Sequence, residues 1–312
     1  MISAWNNTSS EFKARIIGKL LGDGGITKQE GRKPRLKFTH AAKDYEWINY
    51  CYKKLKTDIP INPPIFKKVI DDRLVNGYSL TYYVQSKTSD TISFLYNKWY
   101  QNGVKVIPFS LLNKHFTCES LAWWYMDDGH LKIENNIPKK VILSTESFTD
   151  NEIFKLIDFM KETFKLLFSI DGQNRMILYD QYQIHYFLNL IYPYLHHSMY
   201  RKFILKSILN DIITSSRRTT IYLPDKIHFT QPTKEINNAL RILSKLIDDY
   251  KKGNFYSKYH NIIKQDCKNR LNKNYQIVIE QQNLRNLAFL KQNTGLNYSQ
   301  LTELCFNNFV IS

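Results

Sequence analysis

F-K-A-R-I-I-G-K-L-L-G-D-G-G-I at residues 12–26 and S-L-A-W-W-Y-M-D-D-G-H-L at residues 120–131 decide how this chain is read. In each, an apolar stretch long enough for a few helical turns runs into an aspartate and then a glycine. Asp23 and Asp128 stand 105 residues apart in matching contexts. Glycine after the last turn is a helix stop. A carboxylate in that turn is misplaced, because the C-terminal end of a helix already carries partial negative charge. Asp23, Asp127 and Asp128 all sit there, and a local rule broken without local gain points to a site. A single G-D-G is most simply a turn; two with similar upstream patterns imply two similar halves packed about a pseudo-twofold axis. Carboxylates meeting on that axis can hold a divalent metal. Gly18 and Gly22 share one helix face and permit a close helix approach, with Ala122 and Trp123 near the matching place on the second helix.

Beyond these stretches, the spacing predicts a helix over 11–22 with Ser9 or Ser10 as its cap. It predicts a strand over 34–40, with Arg35, Lys37 and Thr39 on one face and Leu36, Phe38 and His40 on the other. A helix follows over 44–56, a strand over 78–85 and a helix over 89–101. The order recurs: a helix near 119–128 and a strand over 141–145. Thr149 with Glu152 forms a capping box. A strand lies at 175–179 beyond the Asp171-Gly172 turn, and a helix at about 181–191.

Leu121 to Gly129 resembles, over nine positions, the signature helix of the LAGLIDADG homing endonucleases, and Ile16 to Gly24 is a looser copy. Flanking stretches add to the likeness: V-K-V-I-P at 104–108, S-T-E-S-F-T at 144–149 and Y-P-Y-L-H-H-S-M-Y-R-K at 192–202. The chain is similar to the single-chain, two-repeat branch that includes the yeast mitochondrial omega-intron endonuclease, from about residue 10 to about residue 205. The resemblance implies an α+β fold of two pseudo-symmetric halves, whose antiparallel sheets form a DNA-binding saddle. The expected division is residues 1–110 and 111–206 for the two repeats and 207–312 for a helical extension.

The same resemblance implies the chemistry. Asp23 and Asp128 are the metal ligands, with backbone carbonyls of Gly22 and Asp127 completing the coordination; the Asp127 position holds a small residue in many members. Lys105 and Lys202 match the basic residue of each active centre, with Arg201 adjacent to the second. Mg²⁺ is the expected ion, with Mn²⁺ as a substitute. The sheet faces expected on double-stranded DNA carry Lys28, Arg35 and Lys37 in the first half, and Lys132, Lys139, Lys140 and Arg175 in the second. The expected product is a double-strand cut at a long asymmetric site with short 3′ overhangs, made by a monomer. The alternatives are an intron-RNA maturase and a DNA-binding regulator on the same fold.

Composition agrees with a polyanionic partner. The 312 residues hold 44 Lys and Arg against 28 Asp and Glu, a formal charge of +16. The four cysteines, Cys51, Cys118, Cys267 and Cys305, have no metal-knuckle spacing and read as reduced, which suits an intracellular setting. That setting is bacterial or phage cytoplasm, or an organelle. There is no secretion signal, visible presequence or membrane-length apolar run. The ends, from Met1 to F-V-I-S, lack the pattern that intein splicing needs, and no H-E-x-x-H supports a zinc hydrolase. Beyond 206, S-R-R-T-T at 216–220 reads as a basic loop and 234–252 as an amphipathic helix. Residues 283–292 and 298–307 flank N-T-G as helix, turn, helix, read either as a small DNA-binding module or as two packed helices.

Overall fold

The computed structural model describes residues 1–73, 75–203, 218–265 and 272–309. They fall into two compact units: Met1–Tyr179 with Phe187–Leu205, and Asp180–Tyr186 with Lys206–Ser312.

The first unit is built twice over. A helix, Ser10–Leu21, starts where the Ser9 hydroxyl accepts the Phe12 N–H at 3.1 Å. After it come β1 (Gly25–Thr27), β2 (Arg35–Ala41), the helix Tyr45–Leu55, β3 (Ile65–Ile70), β4 (Tyr78–Gln85) and the helix Asp90–Trp99. A two-residue pair, β5 (Tyr100–Gln101) and β6 (Val104–Lys105), closes the half. The second half opens on the helix Cys118–Asp128, begun by a Thr117 capping box. It continues with β7 (Gly129–Glu134), β8 (Ile137–Leu143), the helix Asp150–Phe164, β9 (Ser169–Ile170), β10 (Met176–Leu178) and the helix Gln181–Ile191. Thr149 and Glu152 cap Asp150–Phe164 reciprocally. The two four-stranded antiparallel sheets have the same strand order, β1-β2-β4-β3 and β7-β8-β10-β9, so the repeat lies in the topology as well as in the motifs.

Burial along β2 alternates strictly: Leu36, Phe38 and His40 point inward, Arg35, Lys37 and Thr39 outward. The second sheet repeats this, with Leu131, Val141 and Leu143 inside and His130 and Lys132 outside. Each sheet therefore has an apolar face beneath helices and a polar face away from them.

The two motif helices pack against each other along the glycine face of the first. A Cβ at Gly18 would run into the backbone carbonyl of Ser120 and the Trp123 side chain; one at Gly22 would lie 2.6 Å from Asp127 Cβ. Small residues on one helix thus face large ones on the other. Arg15 and Glu119 pair at 2.7 Å beside this contact.

The second unit joins an antiparallel ribbon, β11 (Thr219–Pro224) and β12 (Asn272–Ile277), to the helices Pro232–Ala239, Leu243–Lys251, Phe255–Gln265, Gln281–Thr294 and Tyr298–Phe309. The amphipathic stretch 234–252 is two helices, separated by a 3-10 turn at Leu240–Ile242. The N-T-G turn holds: Gly295, at φ +74°, ends its helix in the left-handed region. Thr219 and Thr220 of the basic segment are strand, not loop; Ser216, Arg217 and Cys267 lie outside the described residues. Residues 180–186, allotted by sequence to the second repeat, belong to this unit, because Tyr182 is buried in its core with Ile221, Leu240 and Leu301.

Gly18→Ala should lower the unfolding free energy by roughly 1–3 kcal/mol, since the added methyl meets backbone. Gly172→Ala, where a Cβ meets nothing within 4 Å, serves as the control. Equal denaturation midpoints for the two variants would contradict the close helix approach.

Candidate active site

Both motif helices end at the same place, and their last residues form one cluster. Asp23 follows the first helix at Gly22, and Asp127 and Asp128 close the second. Asp127 is taken up inside the protein. Its Oδ1 accepts from Lys19 Nζ at 2.7 Å and Trp47 Nε1 at 2.9 Å, and its Oδ2 accepts the Asp23 backbone N–H at 3.3 Å. Lys19 and Asp127 both have fully buried side chains. Burial works against the Lys19 charge, but Asp127, with Cys51 and Asp23, outweighs it and holds the ammonium above the usual lysine range. The Lys19 ammonium also lies 4.7–5.6 Å from the ring centroids of Phe38, Trp47 and Trp123.

Among the described residues, neither Asp23 nor Asp128 has a lysine or arginine paired directly with its carboxylate as Asp127 has. Burial, then repulsion from Asp127 and Asp128, pushes the Asp23 carboxyl up to about 7 against the pull of Lys19 and Lys202. Burial and Asp127 push Asp128 up to about 6, opposed by Lys202, Lys105 and Lys19. Carboxylate oxygens of this kind suit a hard divalent cation. Among the described residues, the ligand atoms of Asp23, His40 and Asp127 lie within 4.8 Å of one another, and Asp128 does not join that triplet. Lys19 and Trp47 occupy Asp127 Oδ1, and the Asp23 backbone N–H lies on its Oδ2.

The two lysines flank this cluster. Lys105 Nζ donates to the Gly24 carbonyl at 2.9 Å. Burial lowers its pKa to about 8, against the opposing charges of Asp128, Asp23 and Asp127. Lys202 Nζ donates to the carbonyls of Met126 at 2.7 Å and Asp127 at 2.9 Å, and burial lowers it too. Arg201 points elsewhere, pairing with Asp44 at 2.9 Å. The Asp127 carbonyl expected on metal is therefore held by Lys202. Gly22 contributes the close approach to Asp127, through its missing Cβ.

Two residues here went unassigned in the sequence. Lys19 was legible as a charge inside the otherwise uncharged run I-I-G-K-L-L. His40 sat on the inward face of β2, and nothing in a strand pattern distinguishes a core histidine from a site histidine. Burial and the Lys19 charge push its imidazole down to about 3, so the ring is neutral.

The cations expected on DNA are spread over the outer sheet faces, apart from the acids. Arg35 and Lys37 are exposed on β2, with Lys37 over the Tyr83 ring at 5.2 Å, and Lys28 is exposed just past β1. In the second sheet, Lys132 pairs with Glu134 at 2.8 Å. Arg175 and Lys140 converge on Asp171, at 2.6 and 3.8 Å, and the Arg175 hydrogen bonds hold the Asp171 carboxyl at about 2. Lys139 is exposed at the β-bulge, where the pairing slips between Lys132 and Ile133.

Residues 13–187 match the model of the LAGLIDADG DNA endonuclease family, and the chain belongs to that family. Over 207 residues it is 28% identical to probable intron-encoded endonuclease 1 of Wickerhamomyces canadensis, covering 61% of this chain and 83% of that protein. Over 177 residues it is 25% identical to cytochrome b mRNA maturase bI2 of Debaryomyces hansenii, covering 56% and 64%. The structure of the homing endonuclease I-WcaI bound to its DNA recognition sequence superposes with a TM-score of 0.56 and 24% identity, over 66% of this chain and 92% of that one. That likeness concerns the fold: paired α+β halves with antiparallel sheets.

Two outcomes check this site. Lys19→Met leaves a carboxylate buried without its cation, and should cost about 3–5 kcal/mol of stability. Lys19→Met/Asp127→Asn removes the orphaned charge while keeping an acceptor for Trp47, and should recover most of that loss; equal losses in the two variants would refute the pair. The second concerns pH. An acid whose folded pKa is raised above its ordinary 3.8 keeps protons that the unfolded chain has lost. Its contribution is fully present below that value and drains as pH rises through the folded values of about 6 and 7. In chelator, the gain in Tm of Asp23→Asn/Asp128→Asn over wild type should therefore grow between about pH 4 and pH 8. A gain independent of pH would contradict the crowding of these two acids.

Proposed function

We propose that the protein is a metal-dependent, site-specific homing endonuclease that cuts both strands of a long asymmetric DNA site and leaves short 3′ overhangs. The observation that carries this reading is the pairing of Asp23 and Asp128 at the ends of two close-packed helices, with two buried lysines of lowered pKa, Lys105 and Lys202, beside them. Nucleases of this family are metal-dependent, and Mg²⁺, with Mn²⁺ as a substitute, suits two carboxylate oxygens. When bound, such an ion neutralises charge at the phosphate and makes water nucleophilic near neutral pH. Asp23 and Asp128 would hold it.

The protein's own groups have separate tasks. Lys105, brought to about 8, can exchange a proton with water near physiological pH. Lys202 fixes the last turn of the second motif helix through the Met126 and Asp127 carbonyls, and its ammonium faces the same cluster. Arg35, Lys37, Lys28, Lys139, Lys140, Lys132 and Arg175 line the outward faces and would meet the phosphates and the major groove. Unlike halves in one chain fit an asymmetric target read by a monomer. The relatives' intron-encoded names favour an intracellular setting in which the gene lies within an intron. Among the described residues, no helix is long and apolar enough to cross a membrane.

One observation favours a second activity. The Debaryomyces relative is a maturase by name, so binding of the host intron RNA is a reading that the same basic surface would serve.

The test is cleavage of DNA spanning the joined exons of the host intron. Wild type should cut both strands in Mg²⁺ but not in EDTA, and Asp128→Asn should lose double-strand cutting. Blunt or 5′-extended ends, or cutting that persists in EDTA, would sink the proposal.

A further inference from the structure

The second unit is basic in its own right: residues 180–186 and 206–312 include 16 Lys and Arg against nine Asp and Glu. A helix-turn-helix would use such charge by laying its second helix in a DNA groove. Here the second helix of the pair, Tyr298–Phe309, is closed off. No residue from Tyr298 to Asn307 is exposed, and Leu301, Leu304 and Cys305 lie in the core. Ser299 Oγ accepts the Tyr222 N–H at 3.0 Å, which holds this helix against β11.

The open element is the ribbon of β11 and β12. Ile221, Leu223, Tyr275 and Ile277 turn one of its faces into the core. The other face carries the cross-strand pairs Thr220–Gln276 and Tyr222–Asn274, and alternation puts Arg218, just before β11, on the same side. All five are exposed, and among the described residues none of their side chains makes a hydrogen bond or ion pair. No carboxylate lies on this face. Val278, the next outward residue past Gln276, is 43% exposed. It borders a groove of about 650 Å³ that Lys234, Asn238, Arg241 and Glu280 also line, so two cations face one acid there.

We propose that the second unit binds double-stranded DNA by laying this ribbon, and not its helix pair, in the major groove, with Lys234 and Arg241 on the phosphate backbone. The B-form major groove admits a two-stranded ribbon, and amide and guanidinium side chains pair there with the edges of adenine and guanine. Cations bordering such a strip fix its register without reading sequence. The deep, narrow major groove of duplex RNA shuts a ribbon out. Single strands are held on successive stacked rings, whereas this face offers one ring, Tyr222.

The inference takes its DNA probe, the joined-exon duplex, from the endonuclease reading, and binding measured apart from cutting separates the two. Kd and hydroxyl-radical footprints of the full chain are measured in EDTA on that duplex, with an unrelated duplex and the intron RNA alongside. Asn274→Ala/Gln276→Ala should weaken binding of the joined-exon duplex about tenfold or more, shorten the protected stretch, and leave the unrelated duplex within about threefold. Lys234→Ala/Arg241→Ala should weaken both duplexes and lower the slope of log Kd against log salt by roughly two, about 0.9 for each lost phosphate contact. All four positions are exposed, so Tm should hold in both variants. Unchanged Kd and footprints in both variants, or an amide-pair loss equal on the two duplexes, would overturn the ribbon's role and leave the endonuclease reading standing. Loss of intron-RNA binding with DNA binding intact would overturn the choice of DNA. Binding that both variants weaken, without cutting by wild type in Mg²⁺, would keep this inference and overturn the endonuclease reading. A wild type that does not prefer the joined-exon duplex to the unrelated one would overturn both.

Discussion

The contact on which the rest depends is the close approach of the two motif helices. It exists because Gly18 and Gly22 have no side chains to separate them from Ser120, Trp123 and Asp127. That approach brings Lys19 within 2.7 Å of Asp127 and sets Asp23 and Asp128 in one neighbourhood. A buried ion pair is poor evidence of stability, since desolvating both charges costs about as much as their attraction returns. Its value here is specificity. Two copies of the second helix would oppose Asp127 to Asp127 and Trp123 to Trp123. Two copies of the first would put Gly22 where Asp127 stands and leave Lys19 buried without its carboxylate. Only the unlike pairing satisfies both charge and volume, and it places three carboxylates at the junction.

That junction gathers acids in a chain that is basic overall. A formal charge of +16 makes the chain as a whole cationic, and the outward strand faces carry much of it. Within the cluster two carboxyls are raised by burial and by the neighbouring Asp127, and two lysines are lowered by burial. Such opposed displacements are characteristic of functional sites. Asp127 is consumed in holding Lys19, Trp47 and the Asp23 backbone, while among the described residues no hydrogen bond or ion pair falls on the Asp128 carboxylate.

Much of this was legible in the residues. The motif helices end within a residue or two of their aspartates, because acid and glycine stop a helix for stated reasons. The alternation of Arg35 to His40 reappears as the burial of β2, and Thr149 with Glu152 makes its capping box. What escaped was long-range. The Lys19–Asp127 pair spans 108 residues, and neither partner alone signals the other. His40 is one inward strand residue among several until the sheet is folded beneath the helix ends. The ribbon of β11 and β12 pairs strands about fifty residues apart, so neither had a local turn to announce it. The break at Leu240–Ile242 was hidden because a 3-10 turn preserves an apolar stripe.

We propose Asp23 and Asp128 as the carboxylates that carry the metal, with Asp127 retained by Lys19. Anomalous scattering from Mn²⁺ in crystals of the protein with its DNA tests this most directly. The expected result is anomalous density bonded to oxygens of Asp23 and Asp128, with Lys19 still on Asp127. Metal bound to the Asp127 carboxylate with Lys19 displaced, or density remote from Asp128, would contradict the account.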